Sequence, residues 1–453
     1  MTRPAVSTSP DVATAAEAMY RLATELYPIC RSITGNGVRE TLRRLGAYLP
    51  LEIREVPSGT RVFDWTVPRE WNISDAYVKN STGERVIDFQ KSNLHVVSYS
   101  VPVHARMSLA ELKPHLFTLP EQPDAIPYRT SYYSETWGFC LTHHQLLALP
   151  DGEYDVCIDA TLTAGHLTYA ECQLPGASSD EVIVSTHICH PSLACDNLSG
   201  ITVATFLARH LLAAPRHYSY RFLFTAGAIG SITWLALNEA HLPRIRHGLV
   251  LTNLGDSGPL TYKKSRRGNT EIDQAVLNIL RHSGRKYDVR EFDPYGYAER
   301  QFCSPGINLP VGRLSRTPHG EFPEYHTSKD DLSLLQAASL GEALTSCLAI
   351  VRVLEGNRVY VNQSPKGEPQ LGRRGLYRAV GGSMEAKAQE IALLWLLNLS
   401  DGRHSLLDIS DRSGVEFDVL REAADALVEH DLLKEASPLN ENATGSSPRE
   451  PAR

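Results

Sequence analysis

The stretch Ser185-Thr-His187-Ile-Cys189-His190-Pro-Ser192-Leu-Ala-Cys195-Asp196-Asn197-Leu-Ser-Gly200 gathers two imidazoles, two thiols and a carboxylate. Imidazole nitrogen and carboxylate oxygen are the donors from which hydrolytic zinc sites are made, with one position left open for water. Two more candidates stand further along the chain. Asp256 follows an apolar run, and His326 sits in the polar turn Glu324-Tyr-His-Thr-Ser-Lys-Asp-Asp331. The metal ligands expected from residue type are therefore His187 or His190, Asp196, Asp256 and His326. For Asp196 and Asp330 the competing role is helix N-capping, which suits both positions.

These residues need elements to bring them together. Val182-Ile-Val184 has the length and β-branched content of a buried strand, and Ile201 to Leu212 reads as a helix. The first cluster thus lies in a strand-to-helix turn, the place where open α/β sheets bind ligands. From Tyr154 to Leu354 strands and helices alternate: strands at 221–224, 248–252 and 307–313, helices at 229–240, 271–282 and 331–354. That order predicts an α/β fold with a mainly parallel, mixed sheet flanked by helices. Before it, Ser9-Pro10 reads as a helix cap, and Leu51 to Val56 as a strand.

Between these parts the texture changes, with frequent proline, tryptophan and tyrosine and short strand-like pieces. The domain reading is 10–60 and 154–357 for the α/β domain, 61–153 for an inserted β-rich lid, and 358–380 for a linker. Residues 381–437 read as winged-helix-like and 438–453 as a polar, disordered tail. His143-His144 in the insert reads as surface or packing.

Composition narrows the function. The chain has 453 residues, a formal charge of −7 and no long apolar run of the kind a membrane span needs. Nucleic acid and membrane are not expected partners. Residues 404–435 carry nine acidic side chains against three Lys or Arg, the wrong sign for a DNA-reading helix. Eight scattered cysteines without a CxxC pair suit reduced thiols in a cytoplasm. The expected partner is a small molecule or short peptide-like substrate, and a homo-oligomer is compatible with this composition.

The order Asp196-Asn-Leu-Ser-Gly200, Gly230-Ser231, Asp256 and His326-Thr-Ser-Lys-Asp330 resembles that of the secreted zinc leucyl aminopeptidases. Longer phrases are similar to a bacterial aminopeptidase-like family with an inserted β domain and a C-terminal winged helix. They include Ser92-Asn-Leu-His-Val-Val, Glu121-Gln-Pro-Asp-Ala-Ile-Pro127, Trp137-Gly-Phe-Cys-Leu141, Cys189-His-Pro-Ser192, Pro294-Tyr-Gly-Tyr297 and Pro323-Glu-Tyr-His-Thr327. The resemblance covers about residues 15 to 435. It implies zinc, with one ion expected and two admissible, and amide hydrolysis of a small aminoacylated or acylated biosynthetic intermediate. The phrase Cys-His-Pro-Ser favours His190 as ligand, with His187 in reserve and Cys189 as a small buried residue.

One departure stands out. Where the aminopeptidases place Glu-Glu, with one glutamate as general base and the other as a ligand to a second zinc, this chain has Thr225-Ala-Gly227-Ala228. Replacement bases are sought in Glu321, Glu324 and Glu299. Tyr297, Arg300, Arg313, Arg316 and His319 are the expected substrate-binding residues, since arginine suits bidentate recognition of carboxylate or phosphate. Arg266-Arg267 is a further basic turn. The rival reading is a catalytically degenerate protein that keeps the fold to bind or to scaffold.

Overall fold

The computed structural model describes residues 12–376 and 384–436. The Ser9-Pro10 cap and the polar tail from residue 438 lie outside them. The chain divides into two compact units, one made of residues up to 280 with 284–349, the other of 281–283 with 350 onward.

In the first unit, helices α1 (Val12–Leu26) and α2 (Asn36–Leu45) lead into β1 (Glu52–Pro57). The insert contributes β2 (Glu70–Lys79), β3 (Arg85–Asp88), β4 (Val103–Ser108) and β5 (Glu153–Thr163). The chain then runs through β6 (His166–Leu174), β7 (Glu181–His187), α3 (Gly200–Leu212), β8 (Ser219–Thr225), α4 (Ala228–Leu237) and β9 (Ile245–Leu251). β10 (Leu260–Lys263), α5 (Glu271–His282), β11 (Tyr287–Arg290), β12 (Val311–Ser315) and α6 (Ala337–Gly356) follow.

Eight of these strands form one mixed sheet in the order β1-β6-β8-β7-β9-β12-β10-β11. The four central strands, β8-β7-β9-β12, are mutually parallel, while β6 and β10 bracket them antiparallel. Every residue of β7 is buried, as expected of a strand covered on both faces. Burying each Val or Ile there stabilises the fold by about 1.5–3 kcal/mol. α6 has the length and apolar content of a membrane span, yet 56% of its most apolar window is buried within the protein.

The insert is a four-stranded antiparallel sheet, β3-β2-β5-β4. β5 pairs along β2 from Asp155 to Thr163, so the insert extends ten residues beyond the expected boundary at 153. The alternating burial of β5 (Tyr154, Val156, Ile158 and Ala160 inward) supplies one face of its core. Trp71, Ile87 and Phe139 of the insert belong to the same apolar cluster as Ile183, Val250 and Val311 of the large sheet. The insert is therefore a fixed part of the first unit.

In the second unit, β13 (Val359–Asn362), α7 (Met384–Leu399), β14 (Asp401–Ser405), α8 (Leu406–Ser413), α9 (Phe417–Glu429) and β15 (Leu433–Glu435) form a winged helix. Its sheet runs β14-β13-β15. β13 falls where a linker was expected: Tyr360, buried, pairs with Glu435, so this segment is structural from its first residues. α8 opens on a reciprocal capping box between Ser405 and Asp408 and ends on Gly414 in the left-handed region.

Candidate metal centre

β7 ends on His187, and the chain turns through Ile188–Leu193 into the irregular helical turn Ala194–Ser199 before α3 begins. All six residues of that turn are buried. Asp330 holds it in place from outside. Its carboxylate accepts the backbone N–H of Cys195 at 2.6 Å and of Asp196 at 2.9 Å. Asp330 thus does cap, but it caps the turn carrying Asp196 instead of its own helix. Burial pushes the Asp330 carboxyl up to about 7 despite those two N–H groups. From α1's far end, buried Arg31 donates to the carbonyls of His190 and Pro191, at 2.7 and 2.9 Å, and pins the other half of the turn.

Asp196 is fully buried, and three imidazoles converge on its carboxylate. His187 Nε2 lies 2.8 Å from Oδ1; His326 Nε2 lies 3.0 Å and His190 Nε2 3.6 Å from Oδ2. Donor atoms of His187, His190 and Asp196 all fall within 4.8 Å of one another. Burial alone would raise the Asp196 carboxyl, but the imidazoles of His190 and His187 outweigh it and hold it well below its ordinary range. Burial, opposed by the Asp196 charge, lowers His190 to about 3 and leaves its ring neutral at pH 7. A neutral His190 ring beside an ionised Asp196 carboxylate is the protonation state a divalent metal requires of those two ligands. The donor set fits zinc, with His187, His190 and Asp196 as the residues that would hold it and His326, against Oδ2 of the same carboxylate, as a further candidate.

The structure brings both histidines to Asp196, the expected ligand His190 and the reserve His187, with His187 the nearer. Asp256 is not brought into the cluster. Its carboxylate accepts from Gly258 N–H at 2.6 Å and Thr317 Oγ1–H at 2.9 Å, and lies 3.6 Å from Cys195 Sγ. Just past the end of β9 stands Asn253, in the left-handed region at φ 48. Its N–H donates to Asn197 Oδ1, and its own Oδ1 accepts from Thr252 Oγ1 at 2.7 Å and the Tyr297 hydroxyl at 3.2 Å. Its buried Nδ2 has no partner among the described residues.

An aromatic wall surrounds the imidazoles. Tyr297 stacks on His187 with centroids 5.1 Å apart, and Tyr325 on His326 at 3.9 Å. Tyr128, from the insert, meets His326 edge-on at 5.1 Å and His190 at 5.3 Å. The insert segment carrying it is bonded to the His326 turn: Tyr128 N–H donates to His326 C=O and Ser328 N–H to Ile126 C=O, both at 2.8 Å. The lid expected of the insert is thus a bonded wall at this point.

Of the candidate bases, Glu299 is fully buried and committed elsewhere. It accepts from Lys263 Nζ at 3.2 Å and from the Tyr297 N–H at 3.0 Å, with Arg313 NH1 at 3.5 Å. Its task is to hold Tyr297 and two buried cations. Glu321 lies at the surface, clamped by both guanidinium nitrogens of Arg290, which also lowers its carboxyl pKa. Glu324 is half-buried, two residues before His326.

The expected substrate residues separate in the same way. Tyr297, Arg313 and His319 come together: Arg313 lies under the Tyr297 ring and 3.3 Å from His319 Nδ1. Arg316 is buried and donates to the carbonyls of Leu254, Gly258 and Ser339, a structural tie. Arg300 is exposed on the short helical turn Glu299–Phe302. Arg266 and Arg267 bind Asn308. His143 contacts Thr118 Oγ1 at 3.1 Å, and His144 pairs with exposed Asp124. Arg31, Tyr128, Tyr325 and Asn253 went unassigned from sequence. Only Tyr325, beside His326, carried a local signal.

Gly227 begins α4 where a carboxylate was looked for. Its N–H donates to Cys189 Sγ at 3.1 Å, and burial pushes that thiol up to about 12, so Cys189 is an uncharged packing residue. A Cβ built at Gly227 would meet only Cys189 Sγ, at 3.4 Å.

Residues 20–357 match the family described as a domain of unknown function, DUF4910. The chain belongs to the DUF4910 family. Residues 358–435 match a winged helix-turn-helix family, which accounts for β13 lying in the winged helix. The DUF4910 chain is 53% identical over 416 residues to a Clostridium acetobutylicum protein, covering 92% of this chain and 96% of that one. That relative is provisionally named for polysaccharide biosynthesis and an aminopeptidase-like domain. A solved C. acetobutylicum structure, provisionally titled a peptidase, is 50% identical with a TM-score of 0.90, covering 94% of this chain and 98% of that one. A Bacillus subtilis zinc aminopeptidase shares the fold at 14% identity and TM-score 0.55, covering 77% and 96%. The DUF4910 chain therefore has an aminopeptidase-like fold with a C-terminal winged helix.

Proposed function

We propose that this protein is a zinc-dependent amide hydrolase acting on a small aminoacylated or acylated intermediate of polysaccharide or secondary-metabolite biosynthesis. The observation that carries the reading is the convergence of His187, His190 and His326 on buried Asp196. Zinc bound there would polarise an amide carbonyl and acidify water. Glu324 is the remaining candidate base, since Glu299 and Glu321 are committed to cations. Tyr297, Tyr325 and Tyr128 restrict the reactant to a small group, and Arg313 with His319 favours an anionic substituent beside Tyr297. Eight free cysteines support a reducing, cytoplasmic setting. The acidic winged helix supports a protein-contact role over nucleic-acid binding.

The test is turnover of a panel of aminoacyl arylamides and N-acylated amino sugars. Activity should be removed by chelation, restored by zinc and absent in Asp196→Asn. Turnover indifferent to chelation would sink the reading. The second reading, a degenerate protein that binds without turning over, is favoured by Gly227 and by the neutral Asn253 at the end of β9. Tight ligand binding without hydrolysis, unaltered in Asp196→Asn, would establish it.

A further inference from the structure

We infer that the centre is built for a single divalent ion with His190 as a full ligand, an inference that rests on the metal reading above. The first argument is the supply of carboxylates. Among the described residues, Asp196 alone presents its carboxylate to these imidazoles. Asp330 is occupied by two backbone N–H groups, and Asp256 by Gly258 and Thr317. Glu299 is held by Lys263 and Tyr297. The two nearby positions that could have carried further carboxylates are neutral. Gly227 has no side chain, and Asn253 offers only an amide whose oxygen already accepts from Thr252 and Tyr297.

The second argument is charge. Asp196 is fully buried and His187 and His190 are 4% and 15% exposed, with Tyr297 stacked on His187 and Tyr128 against His190, while His326 at 33% is the open side. One divalent ion against one carboxylate leaves a single excess positive charge. Two ions would leave three, in a place where uncompensated charge is strongly disfavoured. Donor count agrees: His187, His190 and Asp196, whose donor atoms lie within 4.8 Å of one another, already make the three protein donors of a single zinc with a fourth position open for water. His190 supplies what a missing carboxylate would otherwise have to provide. Its backbone is fixed for the purpose by Arg31, which also ties down Pro191.

The experiment is metal stoichiometry on the full chain, stripped with chelator, reloaded with excess zinc and dialysed, with cobalt(II) as a spectroscopic substitute. The expected result is one zinc per chain, a cobalt absorption spectrum of four-coordinate intensity, and zinc affinity lowered at least about 100-fold in His190→Ala. Circular dichroism confirms that the variant is folded. If it is not, His190→Gln and the wild-type cobalt spectrum carry the same test. Two zinc ions per chain, none, or a fully folded His190 variant with unchanged affinity would each overturn the inference. One zinc without turnover on any substrate would leave it standing while removing the hydrolase reading. Two zinc ions with turnover would do the reverse.

Discussion

His326 Nε2 lies 3.0 Å from Asp196 Oδ2, across 130 residues of chain. Asp196 comes from the turn after β7, and His326 from the loop after β12. What joins them is the parallel pairing of β7, β9 and β12, which brings the carboxyl ends of these strands to one edge. The same edge supplies His187, Gly227 and Asn253. The loops are held rigidly: Asp330 secures the Asp196 turn, Arg31 the His190 turn, and the insert the His326 turn.

The Asp330 clamp is separable from metal binding. Asp330→Ala leaves the buried N–H groups of Cys195 and Asp196 without acceptors, at about 1–3 kcal/mol each. Chemical denaturation of the metal-free protein should show a loss of about 2–6 kcal/mol. A change within 0.5 kcal/mol would mean that the turn holds itself.

Glu299 and Lys263 are 0% and 1% exposed, and Arg313 lies beside them. Removing only the anion takes the Glu299 carboxylate from buried Arg313 and leaves Lys263 with exposed Asp293 at 3.4 Å, and breaking such a buried pair typically costs about 3–5 kcal/mol. Glu299→Gln is expected to lose that much, and Lys263→Met added to it should restore part. Stability unaffected by Glu299→Gln would rule out the anchoring role assigned to this glutamate.

The base assignment has its own test. Glu324→Gln should lower kcat about 10²–10⁴-fold while zinc content is unchanged. The room beside Gly227 predicts that Gly227→Glu folds normally and, combined with Glu324→Gln, returns part of the lost rate. Full activity in Glu324→Gln would exclude this glutamate as base.

Acid sensitivity is expected at the joint between insert and sheet. Arg39 binds both oxygens of Glu70, at 2.6 and 2.8 Å, and together with Asn72 and the His166 N–H lowers its pKa to about 2 from 4.5. A depressed carboxyl pKa gives stability that is complete above 4.5 and is lost as pH falls towards 2. After allowance for partial screening this is about 2 kcal/mol. Glu70→Gln should flatten the stability profile across that interval. An unchanged profile would contradict the pairing.

Much of this was legible in the sequence, for physical reasons that differ by residue. His187, His190 and Asp196 sit in one strand-to-helix turn, so residue type and spacing were enough. The parallel core was visible because β7 carries the apolar run Val182–Val184 and β9 the run Leu249–Leu251. Asn253 and Arg31 were hidden because their importance lies in contacts 56 and 159 residues away. Asp256 was expected as a ligand because it follows β9 closely, but its carboxylate accepts from Gly258 and Thr317. The insert boundary was missed at β5, because β5 of one sheet and β6 of the other are parted by Ala164-Gly165 alone. β13 was missed because four residues in a stretch rich in Gly, Pro and Arg give too short a strand signal.

The zinc affinity of the wild-type chain against Asp196→Asn, measured by competition with a chromophoric chelator, reaches the central claim most directly. The substitution is isosteric and removes the charge on which all three imidazoles converge. The account predicts tight zinc binding in the wild type and a loss of at least about 100-fold in the variant. Equal affinities in the two proteins, or no zinc bound by either, would contradict it.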